Sequence, residues 1–368
     1  MRRPTRLGNI VLCIILAGSS PDVATAQSVA KRDANIADRP NQVRGDEITP
    51  KQQQAVEKGL AYLASRQQRN GAFGSNYGGS GGHSGITALA GLAFMSSGSL
   101  PNRGKYGQNV QRCLEFIMNS TQESGLISSD NSHGVMYGHG FATLFLGEVY
   151  GMTGDEDVKE RLQKAVRLIV KTQNSEGGWR YSPVPMDADI SVTITEIMAL
   201  RAARDAGIKV EKTVIAMAVK YVRSCQNTDG GFNYQANQGS GSAFPRSAAG
   251  VASLYYAGIF EGNDLKRGLD YLKQSSAGRG LGDRFGGDMG SFYFYGHYYC
   301  CQAMFLAGGD YWATYYPVIR DQLIASQNKT TGAWNGETGE DYATAMALII
   351  LQMPNRYLPV FHGKGPGN

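Results

Sequence analysis

Apolar and polar positions divide this chain into two kinds of segment, and the two kinds alternate six times. The first kind is amphipathic. AVEKGLAYLASRQ, VQRCLEFIMNSTQ, LQKAVRLIVKTQ, AMAVKYVRSCQ, LKRGLDYLKQS and YYPVIRDQLIASQ repeat apolar residues at i, i+3, i+4 and i+7, as in Leu162, Val166, Ile169 and Val170, with charges on the far side. That is the period of a helix with one buried face. The second kind is apolar nearly all round and dense in alanine, glycine and threonine: ITALAGLAFM, GFATLFLGEVYG, SVTITEIMALRAA, SAAGVASLYYAG, YYCCQAMFLAG and YATAMALIILQ. Helices of this composition are buried on most sides.

A glycine-rich turn joins the two helices of each unit. Gln67, Gln122, Gln173, Gln226, Gln274 and Gln327 mark it, at intervals of about 50 residues, the period of a repeat architecture. In its fullest form the turn runs from Gln-Asn through glycine to an aromatic: Gln173 to Trp179, Gln226 to Phe232, Gln327 to Trp334. Glycine supplies the positive φ that reverses the chain. The aromatic can tuck under a helix end, and Gln and Asn can satisfy orphaned helix-terminal groups. Six buried helices alternating with six amphipathic ones predict an all-α fold, an (α/α)6 toroid with the buried helices as its inner ring. An open solenoid would need polar, atypical terminal units, whereas the first and last units here keep the full pattern.

Composition narrows the setting. The chain has 368 residues, 42% of them hydrophobic, with 48 glycines and 12 prolines, which suits a packed domain and not a disordered polymer. Residues 1–26 read as a secretory signal: basic MRRPTR, apolar LGNIVLCIILAG, then Ala24-Thr25-Ala26 before Gln27. The apolar run is too short to span a bilayer, which takes about 20 residues, and Cys13 lacks a following lipid-attachment pattern. The protein is therefore expected to be exported, periplasmic or secreted, without a transmembrane segment. Residues 27–49 are polar and read as a disordered leader, residues 50–358 as the toroid, and 359–368 as a tail. Loss of the signal removes three arginines and one aspartate from a net charge of +5, leaving a balance too mild for a nucleic-acid partner. Four cysteines remain, Cys113, Cys225, Cys300 and Cys301. Their even number permits disulfides, and buried free thiols are the favoured alternative.

The Q-x-x-x-G-G-W/F turns, repeated through about 300 residues, resemble those of the squalene–hopene cyclase and protein prenyltransferase β-subunit superfamily. The resemblance implies a central cavity that in the family's enzymes holds an isoprenoid. It also implies places to look for chemistry. Asp187-Ala188-Asp189-Ile190 resembles the D-x-D-D motif of class II cyclases, with Asp189 at the proton-donor place and Asp187 at the first aspartate, but Ile190 replaces the last aspartate. A proton donor needs partners that keep one carboxyl protonated, so the alternative role of Asp189 is to cap the following helix. The His297–Cys301 stretch is similar to the histidine segment of the prenyltransferase zinc site, yet the preceding unit has no D-x-C counterpart. Exported toroidal polysaccharide lyases and glycosidases offer a third comparison, in which Tyr137, His139 and Glu148 could take catalytic roles.

Aligning the six inner-helix starts brings out one polar position, occupied by His83, His139, Asp189, Arg246, His297 and Asp341. Parallel inner helices would set these six around one mouth of the cavity. Six helix N-termini there would favour an anionic ligand and neutral histidines. A divalent metal on the histidines is the lesser alternative, because Arg246 is a fixed cation, and no cofactor is expected. The expected partner is thus a small isoprenoid-like or anionic ligand, bound without the family's usual catalysis. A cyclase using Asp189 and a non-catalytic interaction module are the alternatives.

Overall fold

The computed structural model describes residues 47–74, 81–129, 134–236, 238–277 and 292–363. The signal segment 1–26 and the leader up to residue 46 lie outside the described residues, as do the last residues of the expected tail. Among the described residues there are twelve α-helices, two 3-10 turns and isolated bridges, with no strand. The outer helices are α1 (Pro50–Arg66), α3 (Gly107–Asn119), α5 (Glu156–Thr172), α7 (Lys212–Ser224), α9 (Asn263–Ala277) and α11 (Gly309–Ser326). The inner ones are α2 (Ser84–Met95), α4 (Val135–Thr153), α6 (Ile190–Asp205), α8 (Phe244–Tyr256), α10 (Tyr293–Ala307) and α12 (Glu340–Gln352).

The two helix classes bury what their patterns require. Every residue of α2 is buried, while α5 buries the stripe Val158, Leu162, Ala165, Val166, Ile169 and Thr172. Each inner helix packs on the next, and α12 packs back on α2 and α1. The inner ring closes, as an (α/α)6 toroid must.

The turn carries that closure from unit to unit. Gln173 Nε2 donates to its own turn at Gly177 O, 2.8 Å, and to Val214 O near the start of α7 in the following unit, 2.9 Å. Gln67 reaches Asn109 O on α3 and Gln226 reaches Asp264 O on α9 in the same way. Gln327, in the last unit, reaches Ala55 O on α1 in the first, 2.8 Å. Gly177 sits at φ +104, where a Cβ would lie 2.1 Å from the Met217 carbonyl oxygen on the adjacent outer helix, so only glycine fits. Asn174 Oδ1 accepts from the N–H groups of Glu176, Gly177 and Gly178. The Trp179 and Trp334 indoles donate to Ile169 O and Leu323 O in the last turns of α5 and α11, 2.7 and 2.8 Å, which ties each turn aromatic to the end of its outer helix.

Three details differ from the sequence reading. In the second unit Gln122 N bonds Leu126 O as Asn174 N bonds Gly178 O, so Thr121 occupies the glutamine position and Gln122 the asparagine position. Gln274 lies within α9, and the chain after it, 278–291, is outside the described residues. The domain is also longer at both ends. Glu47 accepts from Trp312 Nε1 at 2.7 Å and pairs with Arg356 at 3.2 Å, and Thr49 caps α1 in a capping box with Gln52. At the far end Pro359–Phe361 forms a 3-10 turn with Val360 and Phe361 buried. Val360 N donates to Glu148 Oε1 at 3.1 Å and Arg201 Nη2 to Gly363 O at 2.9 Å. All four cysteines are free and buried. No described helix is long and apolar enough to cross a membrane.

Candidate functional site

A cavity of about 720 Å³ opens at the end of the ring where the inner helices begin. Residues of the first turns of these helices line it, together with Tyr181 and Tyr234 from the turns. The wall is largely aromatic: Tyr137 and Phe141 on α4, Tyr293 and Tyr295 on α10, and Tyr342 on α12. Among the described residues its charged side chains are Arg246 and Glu337, one of each sign.

Of the six residues expected to encircle the mouth, His83 and Arg246 line this cavity. His83 is the N-cap of α2, its Nδ1 accepting from Gly85 N and Ile86 N at 3.1 and 3.3 Å. Arg246 donates through Nη2 to Ser240 O and Gly241 O, 3.1 and 2.7 Å. The other four sit behind the wall. His139 is fully buried, and its Nδ1 accepts from Ile127 N at 3.1 Å. His297 is buried, bonded to Tyr315 Oη at 2.8 Å and packed against the Phe244 and Tyr293 rings. Asp341 accepts from Gly74 N at 2.9 Å and faces Arg66 at 3.4 Å. Asp189 is fully buried as the N-cap of α6. The histidines therefore do not share one space, and among the described residues no three His, Cys, Asp or Glu side chains are grouped to hold a metal ion.

The displacement of His139 has a simple origin. In four units the backbone N–H of the turn aromatic donates to a hydroxyl on the inner helix: Phe73 to Thr87, Trp179 to Thr193, Phe232 to Ser247 and Trp334 to Thr344, all at 2.9 to 3.1 Å. In the second unit Ile127 N–H donates to His139. His139 is thus the counterpart of Thr87 and Thr193, one helical turn beyond His83 and Asp189, and points at the turn. Burial pulls its pKa down to about 4 and that of His297 to about 3. Both are neutral imidazoles, and burial rather than the helix N-termini is the main cause.

Asp189 anchors a polar chain that does reach the cavity. Its Oδ1 accepts from Ser191 N, Val192 N and Ser191 Oγ, at 2.9, 3.0 and 2.5 Å. Its Oδ2 has no hydrogen-bond partner and lies 3.7 Å from Arg180 Nε. Burial raises the Asp189 pKa, against the opposing pull of the Ser191 and Val192 hydrogen bonds and of Arg180. Asp187 is exposed and pairs with Arg180 outside the cavity. Ser191 lines the cavity and bonds the Tyr137 hydroxyl through its side chain. Tyr295 Oη donates to Ser191 O at 3.2 Å. A second hydroxyl pair joins Tyr181 and Tyr234. Of the catalytic set drawn from lyases and glycosidases, Tyr137 lines the cavity, whereas His139 and Glu148 are buried away from it.

Tyr181 and Tyr234 are cavity residues outside the set expected from the sequence. The signal was present: each follows its turn aromatic, Trp179 or Phe232, by two positions, and Gly336, which also lines the cavity, follows Trp334 by two.

Fold and cavity together define an α/α toroid with an aromatic chamber at one end. By sequence, residues 42–154 match the prenyltransferase α/α toroid domain and residues 147–285 the squalene–hopene cyclase C-terminal domain. The two matches run on from one another through residues 42–285, and both are to domains built from α/α toroid repeats. No curated protein is similar enough in sequence to match. Among solved structures it is similar to a variant of the type II terpene cyclase MstE from Scytonema in complex with its substrate geranylgeranyl dihydroxybenzoate, with a TM-score of 0.58 and 14% identity over 84% of this chain and 98% of that one. It is similar as well to an inactive variant of the α-1,6-mannanase GH76A of Salegentibacter sp. HEL1_6, with a TM-score of 0.60 and 11% identity over 83% and 99% of the two chains. Cellobiose 2-epimerase from Bacillus thermoamylovorans gives 0.61 and 12% over 82% and 98%. At these identities the likeness is one of fold.

Proposed function

We propose that this protein is exported and binds a small, largely apolar, isoprenoid-like molecule in its cavity, without cyclising it or transferring it. The observation that carries the reading is the chamber itself. Its roughly 720 Å³ falls among the volumes typical of small-molecule sites, and its wall is aromatic with few charges. A protein serving only as a packing module would need no such space. The MstE complex gives a relative of the same fold holding a geranylgeranyl compound. Against proton-initiated cyclisation, Asp189 stands one residue behind the wall with Oδ1 occupied by three donors.

The cyclase reading keeps one observation in its favour, since burial raises the Asp189 pKa. One experiment separates the two. Purified protein is incubated with squalene and with geranylgeraniol, and the extract is analysed by mass spectrometry. Unchanged ligand that co-elutes with the protein is the expected result. Cyclised product that disappears with Asp189→Asn would establish the cyclase instead. Failure of both compounds to bind would remove the isoprenoid assignment.

A further inference from the structure

Hydrogen-bond direction in the cavity wall gives the chemistry of the ligand's polar end, on the premise that the cavity binds an isoprenoid-like molecule. Asp189 Oδ1 already accepts two backbone N–H groups, so it is an acceptor toward the Ser191 hydroxyl whether or not Oδ2 carries a proton. Ser191 has a single O–H, and it is directed at Asp189, 2.5 Å away. In the bond between the Ser191 and Tyr137 hydroxyls the serine is left only as acceptor, and Tyr137 must donate. Tyr295 likewise spends its proton on the Ser191 carbonyl. Both tyrosines line the cavity, and with its proton committed to the wall each phenol oxygen can offer a ligand only a lone pair.

We infer that Tyr137 and Tyr295 form an acceptor pair that selects a ligand ending in a neutral hydrogen-bond donor, an alcohol, over an anion or an ether. The remaining charges agree. Arg246 has Nη2 tied to two loop carbonyls and shares the lining with Glu337, while Arg180 is occupied by Asp187 and Asp189. An ammonium is disfavoured by the positive ends of the inner helices at this mouth. This replaces the anionic ligand expected from sequence.

The test is a calorimetric titration of the full-length mature protein with farnesol, farnesyl methyl ether and farnesyl monophosphate. The ether keeps the chain and the oxygen but has no proton to donate. Wild type should bind the alcohol roughly tenfold tighter than the ether, the factor of one net hydrogen bond. Tyr137→Phe, which keeps the ring and removes the oxygen, should erase most of that preference by weakening the alcohol alone. Ser191→Ala should do the reverse and tighten the ether, because the Tyr137 proton loses its acceptor and turns to the ligand. Equal binding of alcohol and ether by wild type overturns the inference while leaving the isoprenoid reading intact, and so does tighter binding of the phosphate. If none of the three binds, both readings fall.

Discussion

Gln327 and Ala55 stand 272 positions apart and are joined by a 2.8 Å hydrogen bond from the glutamine Nε2 to the alanine carbonyl. It is the same clasp that joins Gln173 to Val214 in the middle of the chain, and it makes the last unit a neighbour of the first. Gln327→Ala should cost about 1–3 kcal/mol through the loss of two buried hydrogen bonds, to the Ala55 and Gly332 carbonyls. Because a closed ring has no terminal unit, the cost should match that of Gln173→Ala in denaturant titration. A Gln327→Ala variant with wild-type stability would mean that the ring is open in solution.

Gly177→Ala should be far more damaging. The new methyl would meet the Met217 carbonyl at 2.1 Å, in a backbone conformation that alanine adopts poorly. Separation of α5 from α7 is the only relief, and a loss of more than about 3 kcal/mol, or failure to fold, is expected. Gly154→Ala is the control: φ is also positive, at +68, but open space surrounds the site. Thermal melts of the two variants should differ widely, and similar melts would rule out the clash.

Acid should destabilise the protein through its buried histidines. Their folded pKa values, about 4 for His139 and about 3 for His297, lie below the ordinary value of 6.5. The unfolded chain takes up these protons first, so stability is full above pH 6.5 and falls as pH drops toward 4 and then 3. His139 alone contributes roughly 3 kcal/mol over that window if the whole shift is realised. His139→Thr restores the hydroxyl acceptor of the other units and should flatten the acid limb while lowering stability at pH 7 by leaving a void. An unchanged acid limb would show that His139 titrates freely in the fold.

The opposite sign applies to Glu148. Burial raises its pKa from 4.5 to about 8, against a weaker pull from the Val360 N–H. The folded state holds this proton more tightly than the unfolded chain, so the contribution is complete below pH 4.5 and is lost as pH rises through 8. Glu148→Gln keeps an acceptor for Val360 and carries no charge. Its stability should resemble wild type at pH 5 and exceed it at pH 9. Protection of the Val360 amide, measured against the exchange of an unstructured peptide at the same pH, should also fall in the wild type above pH 8, as the packed C-terminal turn loosens. A variant that tracks wild type across the range would refute the assignment.

Much of the fold could be read from periodicity. Two helix classes with different burial, a turn that repeats with its glutamine and glycine, and terminal units as complete as the central ones leave little besides a closed ring. Asp189 as a helix cap was equally legible, because a short acidic side chain before an apolar run has few other uses. The mouth was only partly legible. His139 and His83 occupy similar-looking places before apolar stretches, yet they are one helical turn apart in the repeat, and only the partner of each turn's N–H reveals this. The second unit carries isoleucine at 127 where others have an aromatic, and threonine at 121 where others have glutamine. Those substitutions blurred the register at the point where one turn of helix decides which way a side chain faces.

What the sequence determined by itself was the repeat: which faces are apolar, where glycine must reverse the chain, and that six such units bury their faces best by closing on themselves. These are local properties, fixed by side chains within one unit and its neighbour. What only the tertiary structure decided was the polarity of the cavity. Whether Tyr137 offers a proton or a lone pair depends on Ser191, which belongs to another unit, and Ser191 depends on Asp189. Hydrogen-bond direction propagates through contacts between segments far apart in the chain, and no periodicity along the chain encodes it.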